Sequence, residues 1–445
     1  MVVRIVRTAK NTGDRLKEIQ KVEMTKDFNL QIPLIALNPE EEYQTHIGFG
    51  GAFTEAACYT LSEISDEKRH EVLKAYFDPN DGLGYTLGRV HINSCDFALE
   101  NYTYVDEGDV ELKTFDLSRE DQWVVPTIQD AMKIRGGELK LLASPWSPCP
   151  WMKTNKEMNY GGHLDFDYAQ VWANYYVKYI EEMKKRGINI TWVSVQNEPA
   201  AIQTWDSCIY TAEQERDFVK YYLGPTLERS GLRDVGIIIW DHNRDLMVER
   251  AATVLMDEEA NRYVWGVGNH WYVSEQFENL SVVHHMFPDK HLIFTEGCVE
   301  RGPHPDSWQT GEKYGRNIIG DFNNWSEAFI DWNLVLNEMG GPNHVGNYCD
   351  APILIDRNTN EIIYNSSYYY IGHFSKYIRP GAVRIGLAKN TPDGVYATAF
   401  KNTDGTVVLV VQNERGHLVH FSIAYQQHGM SVVVPEHSIT TFIIE

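Results

Sequence analysis

The stretch WVSVQNEP (192–199) carries an apolar, β-branched run to an asparagine and a glutamate and then stops it with proline. The run has the composition of a strand buried on both faces. Pro199 cannot donate the hydrogen bond that would extend the ladder. A second stretch, HLIFTEGC (291–298), repeats the arrangement, with Glu296 followed by Gly297. If both are strands of one sheet, two carboxylates face each other at its end.

Six further runs of this kind flank them: HIGFGGAF (46–53), LGRVHINS (87–94), LKLLASPW (139–146), GIIIWD (236–241), YVWGVGNHWY (263–272) and AFIDWNLVL (328–336). Amphipathic stretches lie between them. SDEKRHEVLKAYF (65–77) opens with a serine cap and acids, and DYAQVWANYYVKYIEEMKKRG (167–187) ends in basic residues and glycine. TAEQERDFVKYYLGPTLERSG (211–231) and NRDLMVERAATVLMDEEA (243–260) also read as helices. Eight βα repeats with continuous apolar strands predict an α/β fold, a (β/α)8 TIM barrel, over 46–377. Beyond 378 the pattern becomes two-residue alternation with turn signals such as Thr-Asp-Gly. It predicts an attached antiparallel β-sandwich of 378–445 plus 1–45, where DFNLQIPLI (27–35) is strand-like and SVVVPEHSITTFIIE closes the chain with a strand pair.

The 62 acidic and 40 basic residues, a net charge of −22, argue against nucleic acid or an anionic membrane surface as the main partner. No stretch approaches the roughly 20 apolar residues that span a bilayer, and the first residues lack the apolar core of a secretory leader. The six cysteines, Cys58, Cys95, Cys149, Cys208, Cys298 and Cys349, show no CxxC spacing. They read as free thiols, and the expected compartment is the reducing cytoplasm. Aromatic residues crowd loops such as SPWSPCPWMKTN and GNHWYV, where ring faces can stack on sugars.

Catalytic residues of such barrels come from the C-terminal ends of strands. Glu198 ends the fourth run and Glu296 the seventh, across the barrel mouth from one another. A single glutamate at a strand end is as often a helix cap or an ion-pair partner. Two of them amid sugar-compatible side chains point to acid/base and nucleophilic work on a glycosidic bond. Carboxyl groups roughly 5–5.5 Å apart suit retention of configuration, and roughly 6.5–9.5 Å suits inversion.

The motifs GFGGAFTEAA, SCDFALENYTYV, LLASPWSPCPWMKTN, QNEP, GNHWY, TEGC and DWNLVLNEMGGPN, in this order, resemble glycoside hydrolase family 30, in its glucosylceramidase-like branch. The resemblance implies a barrel with a β-sandwich, retention, and neither metal nor other cofactor. It implies Glu198 as general acid/base and Glu296 as nucleophile. The acid then needs a pKa raised by burial and by the neighbouring negative charge, whereas the nucleophile needs donors or a cation to stay ionised. Arg89 is the implied cation. Asn197 would hydrogen-bond the 2-hydroxyl, and Tyr272 would hold a carboxylate, with His270 nearby as a further substrate contact. Asp96, Trp146 and Trp332 would form the floor and wall of the first sugar subsite, and Asn347 a further contact. Asp241 and Arg244 in WDHNR would tie their loop together rather than touch sugar.

The chain departs from the lysosomal members in lacking their Cys-rich N-terminal segment, in a shorter loop AAIQTWDSCIY after Glu198, and in Thr-Glu-Gly where Ser-Glu-Ala is usual. These differences bear on the leaving group, ceramide included. The expected activity is that of a retaining exo-β-glycosidase on β-glucosides or close relatives. The alternatives are an endo-acting β-glucanase or xylanase of the same family and a non-catalytic carbohydrate-binding barrel. A metal-dependent hydrolase is disfavoured, because the 16 histidines form neither HxH nor HxxEH.

Overall fold

A computed structural model describes residues 1–445. Three strands come first: β1 (Val2–Ala9), β2 (Lys17–Glu23) and β3 (Leu34–Thr45). Eight parallel strands then close a barrel: β4 (Gly48–Ala52), β5 (Leu87–Ile92), β6 (Lys140–Pro145), β7 (Ile190–Ser194), β8 (Gly236–Asn243), β9 (Val264–His270), β10 (His291–Glu296) and β11 (Ala328–Asn333). Each lies within, or overlaps, a run read from the sequence. β8 is buried at every position but its first, as expected of a strand covered on both faces. Neighbouring strands leave no room for a side chain at Gly50 and Gly266. An added Cβ would lie 2.3 Å from the Leu87 carbonyl oxygen at the first and 2.4 Å from that of His291 at the second.

The barrel helices follow their capping chemistry. Ser65 accepts from the Lys68 N–H at the start of Asp66–Phe77, and Asp66 and Glu67 face the positive end of the helix dipole. Ala169–Lys185 buries Trp172, Tyr176, Tyr179 and Met183 along one stripe and ends in Lys184 and Lys185. The segment 211–231 starts at a Thr211/Gln214 capping box and passes through a π-helical turn, Val219–Leu223. The segment 243–260 divides in two because Asp257 caps a new start, accepting from the Glu259 and Ala260 N–H groups.

Three short strands follow β11: β12 (Val335–Asn337), β13 (Ile353–Asp356) and β14 (Glu361–Tyr364) form a separate sheet. The last six are β15 (Val383–Lys389), β16 (Val395–Lys401), β17 (Val407–Asn413), β18 (Val419–Tyr425), β19 (His428–Val434) and β20 (Ser438–Ile444). With β1–β3 they form nine strands in the order β19-β18-β3-β15-β16-β17-β20-β1-β2. Every ladder of this sheet is antiparallel except that of β3 with β18. Val3, Ile5, Ile35, Leu409, Phe421 and Phe442 belong to its core. Two details differ from the sequence reading. Residues 27–33 are not strand: Asn29 Oδ1 accepts from the Gln31 N–H at 2.8 Å and Pro33 has no N–H to donate. The two closing strands do not pair with each other, β19 lying beside β18 and β20 between β17 and β1.

The chain forms two compact units. One comprises Phe49–Pro303 and Ala328–Ile363, and the other comprises Met1–Gly48, His304–Glu327 and Tyr364–Glu445. The helix Trp308–Asn323, between β10 and β11 in the chain, belongs to the second unit. No helix is long and apolar enough to cross a membrane.

Candidate active site

The proline that ends WVSVQNEP fixes a bend rather than a mere stop. Glu198 sits just past β7 with φ +49°, in the left-handed region that non-glycine residues seldom occupy. Its N–H donates to the Asp241 carbonyl oxygen at 3.0 Å. Asp241 is itself at φ +47° and its neighbour Trp240 at φ +69°. The β8–β9 register slips between Ile239 and His242 at this point, a bulge that redirects the strand end. Trp240 is pinned there by its N–H to Glu215 Oε1 at 2.8 Å. Strain of order 1–3 kcal/mol per such residue persists only where the surroundings hold it.

The bulge aims Asp241 at Arg89 of β5, which is fully buried. Arg89 Nη2 donates to Asp241 Oδ2 and to Asn197 Oδ1, both at 2.8 Å, and Nε donates to Ser144 Oγ at 3.1 Å. Its Nη1 is paired with Glu296 Oε2. Ser194 and Ser144 also donate to Asp241 Oδ2, at 2.6 and 3.1 Å. One guanidinium thus joins four strand ends. It takes the oxygen of the Asn197 amide, so the amide NH2 is free to point toward a ligand. These bonds and the charge of Arg89 hold the buried Asp241 carboxyl far below the usual carboxylate range.

Tyr272 Oη donates to Glu296 Oε1 at 2.9 Å. His270 bridges the other carboxylates, Nδ1 at 3.1 Å from Glu198 Oε1 and Nε2 at 3.0 Å from Asp241 Oδ1. Burial opposes the imidazolium, but Glu296, Asp241 and Glu198 together push its pKa up to about 9. The cation in turn changes the carboxylates. Burial raises Glu198, yet His242, His270 and Arg89 outweigh it and leave this group below its ordinary value. Glu296 lies above its ordinary value, because burial and the charge of Glu198 outweigh His270, Arg89 and Tyr272. This order reverses the one expected from sequence: in the free site the dissociable proton resides on His270, hydrogen-bonded to Glu198. The physical reason is a second buried cation beside the acid, which the motif does not announce.

Glu198, His270 and Glu296 present donor atoms all within 4.8 Å of one another. A cation there would have to displace the proton of His270 Nδ1, since Nε2 faces Asp241.

A cavity of about 230 Å³ opens over these groups, and Asp96, Trp146, Asn197, Glu198, Tyr272, Glu296, Trp332 and Asn347 line it. Eight of the ten residues expected at the site therefore meet at one mouth. Arg89 and His270 stand behind it, both fully buried. His270 has both ring nitrogens engaged, one by Glu198 and the other by Asp241. The Trp146 and Trp332 rings stack at 5.1 Å, and the Arg89 guanidinium lies 4.8 Å from the Trp146 centroid. Asp96 Oδ2 accepts from Asn347 Nδ2 at 3.0 Å and Asn343 Nδ2 at 3.2 Å. Burial nonetheless lifts its pKa to about 7.

Sequence reading missed Gln203, Trp205, His242, Asn243, Val273, Glu300, Cys298 and Cys349 as wall residues. It also undervalued Asp241, whose role depends on the bulge. Asn343 lies within GGPN and was accessible from that motif. The outer-wall residues come from loops of no regular period.

The arrangement is a pair of carboxylates beside a buried arginine, over a tryptophan-lined floor. Residues 46–378 match the glycosyl hydrolase family 30 TIM-barrel domain, and residues 381–442 match the glycosyl hydrolase family 30 beta sandwich domain. The chain belongs to glycosyl hydrolase family 30. It is a glycoside hydrolase with the barrel and sandwich of that family. Lysosomal acid glucosylceramidase of Mus musculus is 35% identical over 429 residues, covering 92% of this chain and 83% of that protein. The structure of SrfJ from Salmonella typhimurium is 36% identical, with a TM-score of 0.95 over 100% of this chain and 99% of the other. That of the endo-beta1,6-glucanase BT3312 is 32% identical, with a TM-score of 0.90 over 99% of each chain. Family 30 relatives with different named substrates are thus similarly close.

Proposed function

We propose that the protein is a retaining exo-β-glycosidase of family 30 that cleaves β-glucosides or closely related β-glycosides by double displacement. One observation carries this reading: the nearest donor oxygens of Glu198 and Glu296 lie within 4.8 Å, beside a cavity of about 230 Å³. Such proximity supports direct attack by a carboxylate, since an inverting pair roughly 6.5–9.5 Å apart must leave space for water between acid and base. Glu296 attacks the anomeric carbon while Glu198 protonates the leaving oxygen. The glycosyl–Glu296 ester is then hydrolysed by water that Glu198 deprotonates. The Asn197 NH2 donates to the 2-hydroxyl, and Asp96 and Asn347 bind further hydroxyls, with Trp146 and Trp332 beside them. A cavity of this size supports one sugar unit per cleavage. Six buried free thiols fit a reducing, cytoplasmic setting.

The test is kcat/KM on aryl β-glucoside, β-xyloside, β-galactoside and β-fucoside with chelator present, with the anomer of the first product followed by NMR. Turnover of one member with β product first supports the reading, and α product first refutes retention. A second reading is favoured by the endo-beta1,6-glucanase neighbour and by Gln203 and Trp205 at the outer wall, which suit a sugar leaving group. A linear β-1,6-glucan giving oligosaccharides before monosaccharide would establish it.

A further inference from the structure

Two thiols line the cavity without belonging to the acid–base machinery. Cys298 lies two residues past Glu296, and Cys349 lies in the excursion after β11. Their segments run antiparallel: Glu300 bridges Cys349, and the Asp350 N–H donates to the Val299 carbonyl oxygen at 2.8 Å. In this register Cys298 and Cys349 are diagonal neighbours whose side chains leave the ribbon on the same face. Both sit in the apolar cluster that holds Trp146 and Trp332, and the Cys349 thiol donates to the Asn347 carbonyl oxygen at 3.8 Å. Neither is disulfide-bonded. Cys298 Sγ is 3.5 Å from Tyr272 Oη, whose own proton is committed to Glu296 Oε1. The thiol is therefore the donor to the tyrosine, and a chain of hydrogen bonds runs from Cys298 through Tyr272 to Glu296.

We propose that Cys298 and Cys349 form an oxidative modification site inside the sugar cavity, where a small peroxide-class oxidant closes them into a disulfide that suppresses hydrolysis until a thiol reductant reopens it. The balance is simple. One sulfur attacks a peroxide oxygen, the O–O bond breaks, and a sulfenic acid and water result. The second thiol displaces the sulfenic oxygen as a second water, forming the S–S bond, so two electrons and two thiol protons pass to one peroxide. The cavity supplies the entry path, because both residues line it. The neighbouring Cys349 thiol, and then burial, hold Cys298 well above the ordinary thiol range. Thiolate is therefore scarce at neutral pH, and the reaction quickens as pH rises.

Closure draws the sulfurs to about 2.05 Å. It removes the S–H donor from Tyr272 and pulls on the segment two residues beyond Glu296. Misplacing a reacting group by about 1 Å can cost on the order of a hundredfold in rate.

The test uses the full chain, reduced and then treated with hydrogen peroxide, alkylated and proteolysed without reduction. The expected result is a peptide linking Cys298 to Cys349 and the loss of two of the six free thiols. A fall of about tenfold to a hundredfold in aryl β-glucoside kcat/KM should accompany it and reverse with dithiothreitol. Cys349→Ala, compared with its own untreated sample, should keep its activity through the same treatment. Absence of the linked peptide, or equal fractional inactivation of Cys349→Ala, overturns the proposal. If Cys349→Ala does not fold, the peptide map of the unmutated chain decides alone. That map is also independent of the glycosidase reading, whose failure would show as no turnover before oxidation.

Discussion

Asp241→Asn tests whether the strained bulge sets the protonation of the site. Asp241 accepts from Arg89, Ser144 and Ser194 on Oδ2 and from His270 on Oδ1. Asparagine has one acceptor oxygen and two donors. With that oxygen turned to Arg89 and the serines, its NH2 faces His270 Nε2, which must then accept. Imidazole accepts there only when neutral, with its proton on Nδ1 facing Glu198. The imidazolium thus loses a hydrogen bond to a charged group, worth about 1.5–3 kcal/mol. At 1.36 kcal/mol per pH unit, a pKa of about 9 falls by about 1–2. On the proposed mechanism the proton shared by His270 and Glu198 is the one delivered to the leaving oxygen. The alkaline limb of kcat/KM should therefore move from near pH 9 to about 7–8. With about 2.1 cal/mol/K of unfolding entropy per residue over 445 residues, the same loss lowers the thermal midpoint by only about 2–3 °C. The measurement is kcat/KM for an aryl β-glucoside from pH 5 to 10, beside calorimetry. An alkaline limb that stays in place in a folded Asp241→Asn protein would refute the reasoning.

Tyr272→Phe deletes the donor to Glu296 Oε1 but keeps the ring, so kcat/KM should drop by about ten- to a hundredfold with the fold intact. Unchanged kinetics would show that Arg89 alone orients the nucleophile. His270 is raised from 6.5 to about 9 by folding, so it stabilises the native state fully below pH 6.5 and loses that contribution as pH rises through 9. Denaturation in urea should show a decline of about 3 kcal/mol across that window, which His270→Gln should flatten. Asp96 titrates near pH 7, and protonation costs it acceptor capacity toward sugar hydroxyls. KM for the glucoside should therefore climb as pH falls through 7, with a smaller change in kcat. Asp96→Asn should show a high KM without that step.

The barrel was legible because each of its strands is a short apolar run and some connecting helices announce their start, as Ser65 does before Asp66–Phe77. β9 and β10 end in the ionisable residues His270 and Glu296, and a buried strand end makes such residues conspicuous. The pairing of Glu198 with Glu296 followed from the fourth and seventh strands lying across the mouth. The bulge was not legible. GIIIWD reads as an ordinary strand, and nothing in its alternation signals two successive left-handed residues at Trp240 and Asp241. The charge order was hidden for the same reason, since it depends on Asp241 reaching both Arg89 and His270. Residues 27–33 were misread because an apolar count ignores the Asx bond of Asn29 and the missing N–H of Pro33. The outer wall stayed silent because Gln203, Trp205, Val273 and Glu300 follow no period.

The protonation order of the free site bears on how the acid is loaded. Glu198 as carboxylate beside an imidazolium and Glu198 as neutral acid beside a neutral imidazole contain the same number of protons. The two forms differ only in where one proton sits along the 3.1 Å contact to His270 Nδ1. Water in an open cavity favours the separated charges. A sugar that fills the cavity displaces this water and lowers the local dielectric, which penalises the charged form of the pair. On the proposed mechanism substrate binding therefore moves the proton onto Glu198, facing the leaving oxygen. Glu296 stays ionised because its partners, Arg89 Nη1 and Tyr272 Oη, lie on the side away from that exchange. Such a site needs no glutamate that is permanently protonated at neutral pH. It needs a buried base of higher pKa beside the glutamate, and His270, held between Glu198 and Asp241, is that base.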